Sequence, residues 1–190
     1  KGIVERGIVR IVTPGTLTEE NALDARQSNY LASLVVVHGR AGLAWVDLST
    51  GRMQGCELAE ERVLDELARL APAELLVSPE ILAEHAHCKA ELVEHMGVAL
   101  TEREAWRFTR DGAMRALTRH FRVKSLEGFG IEGESLLVPA AGALLEYAAE
   151  TQRAACEHIL RIDHEDREKL VDKLDDVDVN IAQQFDVARA

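Results

Sequence analysis

Three acidic residues stand where metal-dependent phosphoryl-transfer chemistry would need them. Asp47 closes the apolar run "LAWVDL" before a Ser-Thr-Gly turn, Glu66 lies on the next predicted helix, and Glu80 follows the next predicted strand. Two-metal cleavage of a polynucleotide needs several convergent carboxylates, because Mg²⁺ takes hard oxygen ligands and the two ions lie about 4 Å apart. The competing role of Asp47 is to cap its own turn by accepting backbone N–H groups. We favour the capping role, because Glu66 falls off the apolar face of its helix.

A second group combines histidine with cysteine, the usual ligands of structural zinc. It consists of His85, His87, Cys88 and His95, all within one predicted helix. Their spacing places His85 and His87 on different sides of that helix, and no second pair of soft ligands follows at zinc-finger distance. The sequence also contains no C-x-x-C pair, which favours reduced thiols that pack as small core residues at Cys56, Cys88 and Cys156. We predict no metal centre.

The glycine-rich phrase "GFGIEG" is not a P-loop. No Lys-Ser or Lys-Thr pair follows it, and the next helix is apolar rather than open to phosphate. The sequence contains neither G-x-S-x-G nor H-E-x-x-H. We therefore predict neither a catalytic site nor a cofactor-binding site.

The most informative polar feature is a row of arginines on one predicted helix. After Asp111, the apolar face is formed by Met114, Leu117 and Phe121, and another side is lined by Arg115, Arg119 and Arg122. The stretch 103–124 holds seven basic and two acidic residues, a local charge of +5. Such a row is either a solvated helix face or a contact for an acidic partner or a DNA backbone, because guanidinium groups bind carboxylates and phosphates.

The composition indicates a globular protein. The chain has 190 residues, 47% of them hydrophobic and 29% charged, and it lacks an apolar run of the roughly 18 residues needed to span a membrane. We expect it to be cytoplasmic and, as it begins with Lys1, to be a fragment of a longer protein that is monomeric by itself. The net charge of −11 argues against a surface that binds nucleic acid throughout.

The first half of the sequence predicts a mixed sheet. Residues 3–12 form a β-branched run that stops at a Pro-Gly corner, because proline lacks an N–H and glycine accepts positive φ. The nearly continuous apolar run from Tyr30 to Val37 is typical of a strand covered on both faces. "LAWVDL" and "RMQGCEL" follow after short turns and complete an antiparallel meander. "AELLVSP" and "VALTE" predict two more strands, alternating with helices at 60–70 and at 81–96, the latter broken near His87. The predicted fold class is α/β.

The second half is predicted to be mainly helical. A long Ala/Leu-rich helix begins at Ser135 or Val138 and is expected to run to about Leu160, as a strut that connects rigid parts of the protein. We divide the chain into a domain at 1–133, the long helix at 134–162, and a segment at 163–190 with nine acidic and four basic residues.

The opening phrase "KGIVERGIVRIVTPGTLTEENALDARQSNYLASLV" resembles the start of the connector domain, domain II, of the bacterial DNA mismatch repair family MutS. Further matching phrases follow in the family's order: "WVDLSTGRM", "ELARLAPAELLVSPE", "LEGFGIEG" and "AAGALLEYAAETQRAACEHI". Together they span about Lys1 to Leu160. Residues 163–190 depart from the family pattern, in which a further strand and the entry to the core domain would follow.

The resemblance implies a ribonuclease H-like mixed sheet flanked by helices, without catalytic carboxylates and followed by a long helix. MutS proteins are dimeric, DNA-dependent ATPases that bind mispaired DNA and recruit MutL. Their mismatch-reading wedge and their ATP and Mg²⁺ sites lie outside the matching region, so the resemblance implies a fragment that is not an enzyme and holds no cofactor.

The function implied is that of a non-catalytic connector, which couples mismatch binding to the ATPase and offers a docking surface for MutL. For contact with a partner or a DNA backbone we nominate Arg115, Arg119 and Arg122. The alternative function is a ribonuclease H-like, Mg²⁺-dependent nuclease that uses Asp47 with Glu66 or Glu80.

Overall fold

Three antiparallel strands form the centre of the molecule. The computed structural model describes residues 12–16, 29–152 and 156–165. Strands β1 (Tyr30–Val37), β2 (Arg40–Asp47) and β3 (Arg52–Ala59) pair in the predicted meander. His38 and Gly39 between β1 and β2 both have positive φ, the geometry of a tight hairpin turn whose twist matches that of the strands. The predicted meander is confirmed.

Parallel strands extend this meander on both sides. β4 (Glu74–Val77) pairs with β1, β5 (Ala99–Glu102) pairs with β4, and β6 (Ile162–His164) pairs with β3. Within the described residues the sheet therefore has the order β5-β4-β1-β2-β3-β6. The predicted α/β class is confirmed, whereas the ribonuclease H-like assignment stays a prediction.

Helices cover both faces of the sheet, which explains why β1 is apolar except at Ser33 and why residues 41–46 of β2 are apolar. On one face lie α1 (Val63–Leu70), α2 (Pro79–Glu84) and α3 (Ala86–Ala90), the last running into a π-helical turn at Glu91–His95. The other face carries α4 (Arg110–Phe121) and α5 (Leu137–Gln152). Neighbouring residues of one strand enter different cores: Trp45 packs towards the α1 side and Val46 towards the α5 side. The predicted helix break near His87 falls at His85, between α2 and α3.

Helix α5 is shorter than predicted and is not a projecting strut. Its described residues end at Gln152, and the chain is not helical from Cys156 to Leu160, where the N–H of Ile159 closes a turn by donating to the carbonyl of Cys156. Twelve of its sixteen residues are buried, because a helix that is apolar on nearly all sides has to be covered on nearly all sides. Glycines permit its close approach to the sheet: a Cβ on Gly42 would lie 2.1 Å from the carbonyl oxygen of Leu136. The chain then returns to the sheet as β6, a strand that the residue pattern did not predict.

Two elements predicted from the sequence fall outside the described residues. The strand at 3–12 is described only at Val12, and nothing is described of the acidic segment beyond Glu165. None of the helices in the described ranges is long and apolar enough to cross a membrane.

Candidate functional site

The exposed face of α4 carries the predicted arginines. Ala113, Ala116 and Leu117 are buried against α5, so the opposite side of the helix faces solvent. Arg115 and Arg119 are exposed on that side. Arg122 caps the end of the helix with a left-handed backbone (φ 57°), and its N–H donates to the carbonyl of Thr118. The three nominated residues therefore share one end of one exposed surface.

Ion pairing divides the basic stretch 103–124 into two parts. Arg103 and Arg107 both bind Glu150 on α5, with nitrogen-to-oxygen distances of 2.6 and 2.5 Å, and Arg110 pairs with Glu134. These three charges are neutralised within the fold. In contrast, Arg115, Arg119 and Arg122 make no ion pair or side-chain hydrogen bond to any residue that the structure describes.

A groove of about 610 Å³ adjoins this arginine row, between the C-terminal halves of α4 and α5 and the turn that follows α5. Arg119 and Arg122 form part of one wall, and Leu160, which is 76% exposed, forms part of another. The imidazole Nε2 of His120 lies 2.8 Å from the carbonyl oxygen of Ile159 and fixes the two walls to each other. The arrangement combines free guanidinium groups with an exposed apolar side chain, as protein-binding surfaces commonly do.

The candidate nuclease carboxylates do not converge. Asp47 Oδ1 accepts hydrogen bonds from the N–H and the hydroxyl of Ser49, at 2.9 and 2.6 Å, so its predicted role as a turn cap is confirmed. Asp47 lies opposite Tyr30, the first residue of β1, whereas β4 ends at Val77, one residue beyond the pair Ser33–Leu76, and Glu80 follows it. Four residues of β1, about 13 Å, therefore separate Asp47 from the end of β4 along the strands.

Glu66 is equally unavailable, because it is nearly buried on α1 and is bound by the guanidinium of Arg69 at 2.6 Å. Among the described residues, no group of three or more His, Cys, Asp or Glu side chains is placed to hold a metal ion.

Two histidines of the predicted helix at 81–96, His85 and His95, face separate carboxylates. His85 Nε2 lies 3.6 Å from Glu60, and His95 Nδ1 lies 3.3 Å from Glu91 on its own turn. Cys88 is half-buried, and burial raises the pKa of its thiol, with a smaller contribution from Glu60. The predicted core role of the cysteines is confirmed at Cys56 and Cys156, which are buried.

One polar centre was missed by the sequence analysis: the carboxylate of Glu74, which is fully buried at the start of β4. Its Oε2 accepts from the hydroxyl of Thr13 at 2.5 Å and from the N–H of Gly15 at 3.0 Å. Its Oε1 accepts from the hydroxyls of Thr101 and Tyr147, both at 2.7 Å. A charged residue inside the apolar run "AELLV" was the available signal. This carboxylate holds the Pro-Gly corner together with Asn29, which donates to the carbonyl of Pro14 at 2.8 Å, and Gln152, which donates to the carbonyl of Thr16 at 3.0 Å.

Burial and the Glu74 carboxylate together raise the pKa of Tyr147, burial being the larger cause. The guanidinium of Arg103 lies over the ring of Tyr147, 5.1 Å from its centroid. The same arginine binds Glu150, so α5 joins the Glu74 centre to the ion-paired part of the basic stretch.

Comparison with known proteins places the chain in a family. Residues 29–160 match the family model described as MutS domain II. The chain is 42% identical over 165 residues to the DNA mismatch repair protein MutS of Syntrophobacter fumaroxidans, and 39% identical over 163 residues to that of Protochlamydia amoebophila. Each alignment covers 85% of this chain but only 18% and 19% of the respective relative, so the chain spans about a fifth of their length. The chain therefore belongs to the MutS family of DNA mismatch repair proteins, and residues 29–160 correspond to domain II.

Proposed function

We propose that this chain is the non-catalytic connector module of a MutS-type mismatch repair protein. In the parent protein it couples mismatch binding to an ATPase that uses ATP and Mg²⁺ in another domain, and it docks a MutL-type protein. A domain that couples two sites has to move as one rigid body. A flexible domain would deform, and the free-energy difference between the two states at one site would not reach the other site. Support for this comes from α5, which packs on β1, β2 and β3 and also on α4, so that the sheet and the arginine-bearing helix share one core.

The observation that carries the docking proposal is the contrast between paired and unpaired arginines. Arg103, Arg107 and Arg110 are used inside the fold, whereas Arg115, Arg119 and Arg122 have no counterpart among the described residues. The groove beside the three guanidinium groups has both apolar and charged lining residues, and Glu146 and Glu157 are among them. The arginine row suits a partner surface that offers carboxylates, and Leu160 suits an apolar side chain of the same partner. The net charge of −11 favours a protein partner over a DNA backbone, because long-range repulsion opposes the approach of DNA.

A charge-reversal series tests this assignment. The triple variant Arg115→Glu, Arg119→Glu, Arg122→Glu is expected to weaken binding of a purified MutL-type protein at least tenfold and to flatten its salt dependence. A matched control reverses Arg52, Arg62 and Lys89, which are exposed elsewhere and change the net charge equally. Equal weakening by both triple variants, or none by the first, would remove α4 as the docking face. Loss of binding to duplex DNA in place of MutL would instead assign the row to a phosphate backbone.

The nuclease alternative finds no support in the geometry, because Asp47 and the end of β4 that leads to Glu80 are four residues apart along β1, and Glu66 is bound by Arg69. A Mg²⁺-dependent cleavage assay on duplex and hybrid substrates, with Asp47→Asn as the control, distinguishes the two functions.

A further inference from the structure

The Glu74 carboxylate is fully buried, and no cationic side chain of the described residues pairs with it. It makes no ion pair with any described residue, and its stabilisation inside the protein comes from four hydrogen-bond donors. Burying a carboxylate is unfavourable unless its oxygens are well hydrogen-bonded. Each donor therefore matters more than it would at the surface, and removing one weakens the environment that the others share.

The four donors come from three parts of the fold that are distant in sequence. The corner at 13–16 supplies Thr13 and Gly15, β5 supplies Thr101, and α5 supplies Tyr147. The corner donors occupy one carboxylate oxygen, and the β5 and α5 donors occupy the other. Because both oxygens belong to one rigid group, a displacement of one oxygen also displaces the other.

The corner fits against Glu74 in only one way. A Cβ added to Gly15 would lie 2.8 Å from the Cβ of Glu74 and 2.9 Å from the Cδ1 of Leu31, so the backbone lies directly on these two side chains. Withdrawing the corner would remove both donors from Oε2 at once and leave a buried, charged oxygen unsatisfied. Intermediate positions are disfavoured, and docking of the corner is therefore close to all-or-none.

We propose that Glu74 is a latch that couples docking of the corner at 13–16 to the positions of β5 and α5. When the corner is docked, a displacement of Thr13 or Gly15 acts on β5 and α5 through this carboxylate. When the corner is released, water enters and the coupling is lost. Gln152 on α5 also donates to the carbonyl of Thr16 at 3.0 Å, so the coupling specific to Glu74 is the one that reaches β5 and Tyr147. The latch does not depend on partner docking by α4.

Amide hydrogen exchange on the 190-residue protein tests the latch. The reporters are the N–H groups of Gly15, which donates to Glu74, and of Thr16, which donates to the carbonyl of Thr13 at 3.0 Å. Thr101→Val removes a donor from the far oxygen with almost no change in shape. If the carboxylate couples the two sides, exchange of both reporters rises at least tenfold, while amides of the β2–β3 ladder change less than twofold.

Thr151→Val provides the matched control. Thr151 is buried on α5 and donates to the backbone carbonyls of Tyr147 and Ala148, not to Glu74. The Thr151→Val variant is expected to leave the exchange rates of the Gly15 and Thr16 amides within twofold of wild type. The latch is refuted if Thr101→Val leaves the exchange of the reporter amides unchanged, because the carboxylate then does not couple the two sides. It is also refuted if both threonine variants act equally or if exchange rises uniformly across the sheet, because these outcomes show a general loss of stability. Glu74→Gln, which places an amide N–H₂ against two donors, is expected to accelerate the reporters at least as much as Thr101→Val.

Discussion

The packing of α4 on α5 is close enough that a single methyl group should separate the two helices. Gly142 lies on α5 where the helix meets Ala113 of α4. A Cβ on Gly142 would lie 2.3 Å from the Cβ and 2.5 Å from the Cα of Ala113, whereas carbon atoms at ordinary packing distance are about 3.5–4.0 Å apart. One of the two clashing atoms belongs to the backbone, so no side-chain rotation relieves the overlap. In Gly142→Ala, α4 has to move away by about 1 Å.

Two effects of opposite sign decide the magnitude. Alanine favours a helix interior over glycine by about 1 kcal/mol, whereas overpacking a core costs about 1–3 kcal/mol. Because a whole helix has to shift, we place the cost near the upper limit. The expected net loss is about 2 kcal/mol of unfolding free energy, which for a chain of this size lowers Tm by about 4–8 °C.

Urea unfolding, followed by circular dichroism, measures this loss. Gly128→Ala is the matched control, because a Cβ there would meet nothing within 4 Å, and its effect should stay within about 0.5 kcal/mol. Adding Ala113→Gly to Gly142→Ala should recover part of the loss, since this second change removes the clashing methyl group of residue 113 but leaves its backbone in place. A Gly142→Ala protein as stable as wild type, or more stable, would refute the argument that this glycine is needed to seat α4 on α5.

Three further predictions concern Tyr147, Gly15 and Cys88. Burial and Glu74 raise the pKa of Tyr147 in the folded state, so its contribution to stability is complete below pH ~10 and is lost as pH rises further. In urea unfolding, the unfolding free energy of Tyr147→Phe should therefore decrease less steeply above this pH than that of wild type. Gly15→Ala should release the corner, seen as faster exchange of the Thr16 amide, while the β2–β3 ladder keeps its protection. In the native protein, Ellman's reagent should modify Cys88 before the two buried cysteines, and only slowly at pH 7 because burial raises the thiol pKa; rapid reaction of all three thiols would contradict the described core.

The parts of the fold that were predictable are those that depend on short-range patterns. β1 was recognisable because a strand covered on both faces is apolar at nearly every position, here at all but Ser33. The role of Asp47 was recognisable because its partner is only two residues away. The exposure of the three nominated arginines followed from helical periodicity, which reports the apolar side of a helix and hence the solvent side.

Periodicity did not reveal which arginines are neutralised. Glu150 is 47 residues from Arg103 and 43 from Arg107, and Glu134 is 24 residues from Arg110. Pairing over such distances depends on how α5 lies across the sheet, which no local pattern encodes. For the same reason, an Ala/Leu-rich run indicated a long helix but not that its C-terminal part would turn back to the sheet.

The sequence by itself determined the family, the α/β class, the meander and the polarity of α4, because these are recorded in residue order and in local hydrophobic spacing. Only the tertiary structure decided that α5 is a buried element, that β6 closes one side of the sheet, and that Glu74 gathers donors 27 to 73 residues away. The physical reason is that an apolar face is stabilised by burial against any apolar surface, so its sequence pattern does not indicate which element will cover it. A buried carboxylate, in contrast, is stable only where the folded chain brings its hydrogen-bond donors together.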